Sequence, residues 1–416
     1  MALSTPTRHA TDGVGMATIH LSALLQALHR EASFAELVAN LRRSRRVSIA
    51  DPAKAFVVAA LHASLARPVV LVAARPGYAR QLWDELSAWS GDPHSVLYFQ
   101  APDALPYERL KEDPAVVAER VKVLTRLGEP DAQPLVVLSV RAALDVLEAP
   151  ERFRAAARTI KIGDLVSPAQ LVELWLASGY EPSPLVDGPG QFSRRGGIVD
   201  VYPPGGQPCR IEFFADEIES LRLFDPETQR SGERIAELLT PPARVTSGGT
   251  SGLRQSGVAS PSATFFDHLP ADSLVLLDEP GQIEALAADL ERQVEELRVE
   301  LQERGELPAE VTRPYVAWPQ LLARLGAGQR AVVELVHDPA AETVPFSHAP
   351  VFGGRLRAFH DRLERSAGET TVIVSQQSAR LQELLAERGM VVAATDRLGP
   401  GPLAAISLVH GSLPAG

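Results

Sequence analysis

The segment from residue 188 to residue 231 constrains the fold of this chain more than any other stretch, because turn residues interrupt it at short intervals. Residues 198–202 read as one strand, and the sequence PPGG at residues 203–206 forces a turn. A second strand follows at residues 210–214, then a short turn and a third strand at residues 221–224. The spacing predicts a small antiparallel meander.

Alternation along the second of these strands places an aromatic side chain on a charged face. Successive side chains of a strand point to opposite sides, so Ile211 and Phe213 share one side. Arg210, Glu212 and Phe214 share the other. Exposed aromatic and arginine side chains are the usual anchors of a protein interface. The pattern predicts a binding surface around Phe214; the alternative is that Phe214 packs under a neighbouring loop while the charges are solvated.

Apolar runs and amphipathic helix patterns alternate over much of the remaining chain. Runs typical of buried strands at residues 68–74, 95–99 and 135–140 are interleaved with helix patterns at residues 78–89 and 113–127. This βαβ wiring predicts a doubly wound parallel sheet, and hence the α/β class.

Two further regions follow this pattern. Ser167 and Pro168 supply the N-cap and first turn of a helix that joins the meander in a compact α+β domain. Residues 245–264 are rich in Gly and Ser, which predicts a flexible surface excursion. The α/β pattern then returns, with a strand at residues 274–277 and a long charged helix at about residues 282–304.

The end of the chain repeats the alternation and predicts a second, small α/β domain. Its elements are strands at residues 330–336, 371–375, 390–394 and 404–409 and helices near residues 351–366 and 377–388. Four parts are therefore expected along the chain: the first part of an α/β domain (1–148), the α+β domain (149–236), the second part of the α/β domain (237–325) and the small α/β domain (326–416).

Composition limits the function. The net charge of −11 opposes a role in which this chain grips duplex DNA unaided. The single cysteine, Cys209, excludes an internal disulfide and a cysteine-cluster metal site, and it fits a reducing cytoplasm. The histidines show no metal-ligand spacing, and no apolar run is long enough for a membrane helix. No catalytic or metal-binding residue is predicted, and a cytoplasmic location is expected.

The meander carries a resemblance to a known family. The strings RRGGIVDVYPPG at residues 194–205 and RIEFFADEIESLRLFDPETQRS at residues 210–231 resemble a segment shared by the nucleotide-excision-repair protein UvrB and the transcription-repair coupling factors, where it forms the domain that binds UvrA. Residues 66–86 and 135–144 resemble early motifs of the helicase-type nucleotide-binding domain of both families. The resemblance implies a degenerate helicase-like doubly wound domain, an inserted α+β UvrA-binding domain, and a small α/β domain after them.

The nucleotide site distinguishes the two families. A working P-loop needs glycine amides, a lysine and a hydroxyl to hold phosphates and magnesium. At the corresponding place, residues 48–55 read SIADPAKA. Lys54 is present, but no glycine flanks it, Pro52 removes an amide and Asp51 would repel phosphate. We therefore expect that ATP does not bind here, and that this segment holds no cofactor.

Asp278 and Glu279 follow a buried strand and resemble the acidic strand end that holds magnesium in ATPases. Without a phosphate cradle, the favoured interpretation is that they begin the helix at Pro280, where the helix dipole stabilises anions.

UvrB keeps an intact P-loop, whereas the coupling factors carry a degenerate UvrB-like module at the N-terminus, so the chain is similar to that N-terminal part. The resemblance implies UvrA contacts at Arg195, Arg210 and Phe214, with Arg194 able to share or exchange the role of Arg195. It also implies recruitment of UvrA to RNA polymerase stalled at DNA damage. Polymerase and DNA binding, and a translocase motor that uses ATP and Mg²⁺, are expected after Gly416. The chain stops there without a capping element, which suggests either an interrupted reading frame or a deliberately shortened chain.

Two other classes of function stay open. A UvrB-type excision nuclease subunit would bind nucleotide, and nucleotide binding by the isolated chain discriminates it. An autoinhibitory structural module would bind neither UvrA nor nucleotide, and it would pack against a motor in the rest of the protein.

Overall fold

The computed structural model describes residues 21–41, 45–108, 110, 112–245, 263–311, 313–328, 330–338, 342–344 and 346–413, the last range without 348, 351, 353, 366, 367 and 399–402. The strands are, in chain order, β1 (Arg46–Ser48), β2 (Val69–Ala73), β3 (Val96–Phe99), β4 (Leu135–Ser139), β5 (Arg158–Lys161), β6 (Glu181–Pro182), β7 (Gln191–Arg195), β8 (Ile198–Tyr202), β9 (Cys209–Phe214), β10 (Glu217–Phe224), β11 (Ser231–Arg234), β12 (Glu237–Thr240), β13 (Leu274–Asp278), β14 (Ala331–Val336), β15 (Glu342–Thr343), β16 (Thr371–Ser375), β17 (Ala394–Thr395) and β18 (Ile406–His410).

The helices complete the description. They are α1 (Leu25–Leu28), α2 (Ala32–Asn40), α3 (Lys54–Leu65), α4 (Pro76–Trp89), α5 (Pro114–Leu127), α6 (Val140–Leu144), α7 (Pro150–Ala156), α8 (Pro168–Ala177), α9 (Pro280–Glu303), α10 (Trp318–Ala327), α11 (Leu356–Arg365) and α12 (Ser378–Ala386).

A seven-stranded sheet forms the largest unit, in the order β15-β1-β14-β13-β2-β4-β3. Every neighbouring pair in it is parallel. The central strands β2, β4 and β13 are buried along their whole length, as expected for the continuous Val and Leu runs of a parallel sheet covered on both sides. One hydrophobic core lies between the sheet and α1 to α4, and a second lies between the sheet and α5, α6, α7, α9 and α10. The predicted α/β class with a parallel sheet is confirmed.

One strand was assigned to the wrong sheet. Residues 330–336 were expected in the small C-terminal domain, but β14 pairs in parallel with β1 on one side and β13 on the other. The apolar run identifies a strand, whereas the strands that it pairs with depend on how α9 and α10, which connect β13 to β14, place it in the sheet. That placement is a long-range feature that local periodicity does not encode.

The second unit is a six-stranded sheet in the order β11-β10-β9-β8-β7-β6. Strands β8, β9 and β10 form the predicted antiparallel meander, to which β7 adds a hairpin that the sequence did not predict. One face of this sheet packs against α8, whose start is fixed as predicted: the Ser167 side chain accepts from the Gln170 amide, and Pro168 is the first helical residue. A two-stranded β12-β5 ribbon lies beside it.

In the turn between β8 and β9, Gly205 closely approaches the larger unit. Gly205 has φ +72°, and a Cβ atom added to it would lie 2.6 Å from Cβ and 3.0 Å from Cα of Lys122 in α5. Only a residue without a side chain allows this close approach of a turn to a helix.

The remaining strands form a parallel sheet, β16-β18-β17, with α12 against it. The strand predicted at residues 390–394 is shorter and later than expected, since pairing begins only at Ala394. Residues 246–262 of the predicted Gly/Ser excursion lie outside the described part of the chain. Its predicted ends are wrong, because Val245, Ala263 and Thr264 are buried.

Candidate protein-binding face and a buried ion cluster

The register of the six-stranded sheet defines a face opposite to α8, here called the outer face. Residues directly opposite on antiparallel strands point to the same side. Arg195 on β7 lies opposite Ile198 on β8, which lies opposite Glu212 on β9. Since Arg210 and Phe214 share the parity of Glu212, the three residues expected to bind a partner all lie on the outer face.

Phe214 is the most exposed aromatic side chain of this face. It is 73% exposed, while Phe213, on the other side of the strand, packs against the core shared with α8. Phe214 ends β9 at a two-residue hairpin, where Ala215 takes a left-handed φ of 55°. The adjacent β7–β8 turn is Gly196 and Gly197, which have no side chains to cover the ring. The alternative that Phe214 packs under a loop is therefore wrong.

Arg210 lies on the outer face, but its guanidinium is engaged within the sheet. Its Nε and Nη2 donate to the two carboxylate oxygens of Asp200, at 2.7 and 2.9 Å, and its Nη1 donates to Oγ of Ser231 at 3.1 Å. The Asp200 side chain is only 6% exposed. The hydrogen bonds to Asp200 raise the pKa of Arg210 above its usual value. A change at Arg210 would therefore cost stability, because Asp200 would lose its counter-charge.

The structure distinguishes the two neighbouring arginines. Arg195 is exposed on the outer face, and its Nη2 donates to the Pro184 carbonyl at 2.6 Å. Arg194 lies opposite Val199, a core residue, so it points to the other side of the strand. Of the two, only Arg195 shares a face with Phe214.

A second polar site lies at the carboxyl edge of the seven-stranded sheet. Lys54 begins α3 and is almost fully buried, and its Nζ lies 2.7 Å from Oδ1 of Asp278, 2.8 Å from Oδ1 of Asp51 and 3.1 Å from Oε1 of Glu279. Burial alone would lower the pKa of Lys54, but the carboxylates, above all Asp278, raise it overall. We call these four residues the ion cluster.

The ion cluster changes the interpretation of the acidic strand end. Asp278 was expected to begin the next helix, but it ends β13 fully buried and pairs with Lys54. Glu279 is the N-cap of α9, and its left-handed φ of 51° turns its carboxylate toward the same ammonium. The sequence showed Lys54 and the acidic strand end but not the contact between them, which joins Lys54 to Glu279 across 225 positions of the chain.

A cluster of possible metal ligands lies on α11. Within the described residues, one set of side chains could hold a metal ion, His360, Asp361 and Glu364 of α11, and both carboxylates are exposed. No helix in the described part of the chain has the length and apolar character needed to cross a membrane.

Comparison with known proteins defines the class of the second unit. The UvrB interaction domain family matches residues 159–245, a range that includes β6 to β12, α8 and the whole outer face. The chain thus carries a UvrB interaction domain.

Relatives extend the likeness beyond this domain. The transcription-repair-coupling factor of Myxococcus xanthus is 37% identical over 220 residues, which are 51% of this chain and 18% of that protein. That of Bacillus subtilis (strain 168) is 24% identical over 440 residues, covering 90% of this chain and 37% of that protein. That of Staphylococcus haemolyticus (strain JCSC1435) is 34% identical over 146 residues, 35% of this chain and 12% of the relative. The resemblance to the transcription-repair coupling factors is confirmed, and this chain spans well under half the length of these relatives.

Proposed function

We propose that this chain is the UvrA-recruiting part of a transcription-repair coupling factor. In this role the outer face binds UvrA and brings nucleotide excision repair to RNA polymerase stalled at DNA damage, in the cytoplasm. Polymerase binding, DNA binding and ATP-driven translocation belong, in this proposal, to a longer protein of which the chain is one part. The observation that carries it is the 73% exposure of Phe214 within a UvrB interaction domain.

Phe214 is suited to be the central contact with UvrA, and Arg195 is suited to be a contact beside it. A large exposed ring on a hairpin loses little conformational entropy on binding, and burying it in a partner's pocket removes apolar surface from water. The Arg195 guanidinium on the same face supplies charge for a carboxylate of the partner. Arg210 contributes indirectly in this proposal, since its bonds to Asp200 and Ser231 tie β9 to β8 and β11 within the sheet that carries Phe214.

We further propose that the seven-stranded sheet is a degenerate helicase-type domain that uses neither ATP nor Mg²⁺. Lys54 follows β1 and Asp278 ends β13, so both lie at the carboxyl edge of the sheet, where α/β proteins bind ligands. The residues do not fit a triphosphate. Three carboxylates already surround the ammonium, and a phosphate would have to displace them against like-charge repulsion.

Binding of purified UvrA to the purified chain tests the first proposal. We expect Phe214→Ala to weaken binding by about 30-fold or more, the usual effect of truncating an interface anchor, and Arg195→Glu to weaken it further. Phe214→Ala should unfold at the same temperature as the parent chain, and Arg195→Glu close to it, because that variant loses only the bond to the Pro184 carbonyl. Val391→Ala is the matched control, because Val391 is 93% exposed and lies far along the chain in the small α/β unit. Folded Phe214→Ala protein that captures UvrA normally would refute the proposal.

Isothermal titration with ATP and Mg²⁺ separates the remaining alternatives. No heat of binding is expected from the parent chain. A dissociation constant in the micromolar range would favour a UvrB-type excision nuclease subunit. Absence of both nucleotide and UvrA binding would favour an autoinhibitory structural module.

A further inference from the structure

A second apolar side chain lies on the outer face beside Phe214. Leu165, in the segment that leads into α8, forms an antiparallel bridge with Glu217 of β10, and Glu217 lies directly opposite Phe214 of β9. The bridge is held by two backbone hydrogen bonds, from the Val166 amide to the Asp216 carbonyl and from the Ile218 amide to the Asp164 carbonyl. Leu165, Glu217 and Phe214 therefore form one row of side chains on the same side.

Leu165 is more exposed than Phe214. It is 82% exposed, against 73% for Phe214, and both are held by a hydrogen-bonded backbone. Neighbouring Cα atoms across antiparallel strands lie about 5 Å apart, so these two side chains start about 10 Å apart. Two large apolar groups held at a fixed spacing form a small apolar patch rather than a single projecting ring.

The size of a protein interface decides whether one partner covers both Phe214 and Leu165. A standard interface buries about 800 Å² on each side, which corresponds to a disc of about 16 Å radius. A partner centred on Phe214 must therefore also cover Leu165, about 10 Å away.

Near Phe214, exposed charges of opposite sign lie on the two sides of β9, and Arg222, which also lies on the outer face, is five residues farther along β10 than Glu217. Arg195 lies on β7, on one side of β9, whereas the exposed Asp216 and Glu217 lie on the other. A partner with complementary charge presents acidic groups toward Arg195 and basic groups toward Asp216 and Glu217. This division fixes the direction in which the partner can lie across the row.

We propose that the UvrA-binding surface extends from Phe214 across Glu217 to Leu165, and that UvrA receives it in an apolar groove with acidic groups at one end and basic groups at the other. This inference rests on the proposed function and adds to it a second anchor and an orientation. Leu165 acts as a second anchor, and Glu217 selects the orientation.

Affinity measurements with purified UvrA test the inference. Leu165→Glu and Glu217→Arg should each weaken binding about tenfold or more, and Leu165→Ala by a smaller factor. The loss in Glu217→Arg should shrink as salt is raised, because exposed charges are screened. Val391→Glu, which places a carboxylate at another exposed apolar position, should bind normally. Circular dichroism melting establishes that each variant is folded.

The outcomes separate this inference from the proposed function. Folded Leu165→Glu and Leu165→Ala variants that bind as the parent chain does, while Phe214→Ala fails to bind, would overturn the extended surface and leave UvrA binding in place. Normal binding by Phe214→Ala as well would overturn both. Light scattering that detects a dimer of the parent chain and a monomer of Leu165→Glu, with unchanged affinity for UvrA, would assign the patch to a second copy of this chain and overturn the inference.

Discussion

Replacing Lys54 by Met removes the only ammonium of the ion cluster while keeping an unbranched apolar side chain of similar length. The side chains of Lys54 and Asp278 are each 2% exposed, so the variant leaves the Asp278 carboxylate buried without a counter-charge. Removal of one partner from a buried ion pair costs about 3–5 kcal/mol. Asp51 and Glu279 add little, because they are 72% and 30% exposed and regain water. We expect a loss of about 3–5 kcal/mol, a large share of the stability of a typical domain.

The loss should depend on pH in a defined direction. Burial raises the pKa of Asp278, and in the variant no ammonium opposes this. The folded variant then keeps a proton that the unfolded chain releases, so its stability falls as pH rises. The difference from the parent chain should be smallest below about pH 4, the unfolded pKa of Asp, and should grow as pH rises through the raised folded value.

Urea titration followed by tryptophan fluorescence measures the effect, since Trp83, Trp89 and Trp318 pack against the cores of the seven-stranded sheet. Lys161→Met is the matched control. Its partner Glu237 lies 3.1 Å away with both side chains 60% exposed, so the expected loss is below about 1 kcal/mol. Lys54→Met combined with Asp278→Leu should recover most of the stability. A Lys54→Met variant within 1 kcal/mol of the parent at pH 4 and at pH 8 would refute the role given to the ion cluster.

Two further predictions concern the UvrB interaction domain. Arg210→Met should lower the free energy of unfolding by about 3 kcal/mol, because Asp200 loses its bidentate partner, and amide hydrogen exchange should rise in β8 to β11. Phe214→Ala should change the free energy of unfolding by less than about 0.5 kcal/mol. Equal effects of the two variants in urea titration would contradict the geometry. Gly205→Ala should destabilise the chain by about 1–3 kcal/mol more than Gly305→Ala, because a Cβ at 205 meets Lys122 whereas 305, at φ +71°, has nothing within 4 Å. Equal losses for the two glycine variants would mean that the turn moves away from α5 without cost.

Local patterns of residues predicted the elements well where one face is buried. The alternation in β9 correctly assigned Ile211 and Phe214 to opposite faces, because a strand with one buried face alternates between core and outward-facing residues. Ser167 and Pro168 predicted the start of α8, because a cap depends only on residues within one turn. The outer face was therefore predictable from neighbours in sequence.

Contacts between distant residues were not predictable in this way. The pairing of β14 with β1 and β13 depends on how two helices return the chain, and the bond from Arg210 to Asp200 depends on the register of a hairpin. Arg195 and Arg210 looked equally available in the sequence, because the neighbouring residues of an arginine do not show whether its guanidinium has a partner on another strand. The structure leaves Arg195 available to a partner and commits Arg210 to the sheet.

The ion cluster gives Lys54 a structural role that requires no P-loop. The run of β13 carries Asp278 into the protein interior, where an uncompensated carboxylate is costly. Lys54 reaches it from the first turn of α3, and Asp51 and Glu279 accept the remaining hydrogens of the ammonium. The glycines of a working P-loop would contribute nothing to this ion cluster, whereas removal of Lys54 would leave the buried charge of Asp278 without a partner. A lysine and an acidic strand end can thus serve stability alone, and their presence in a sequence does not by itself indicate that ATP binds.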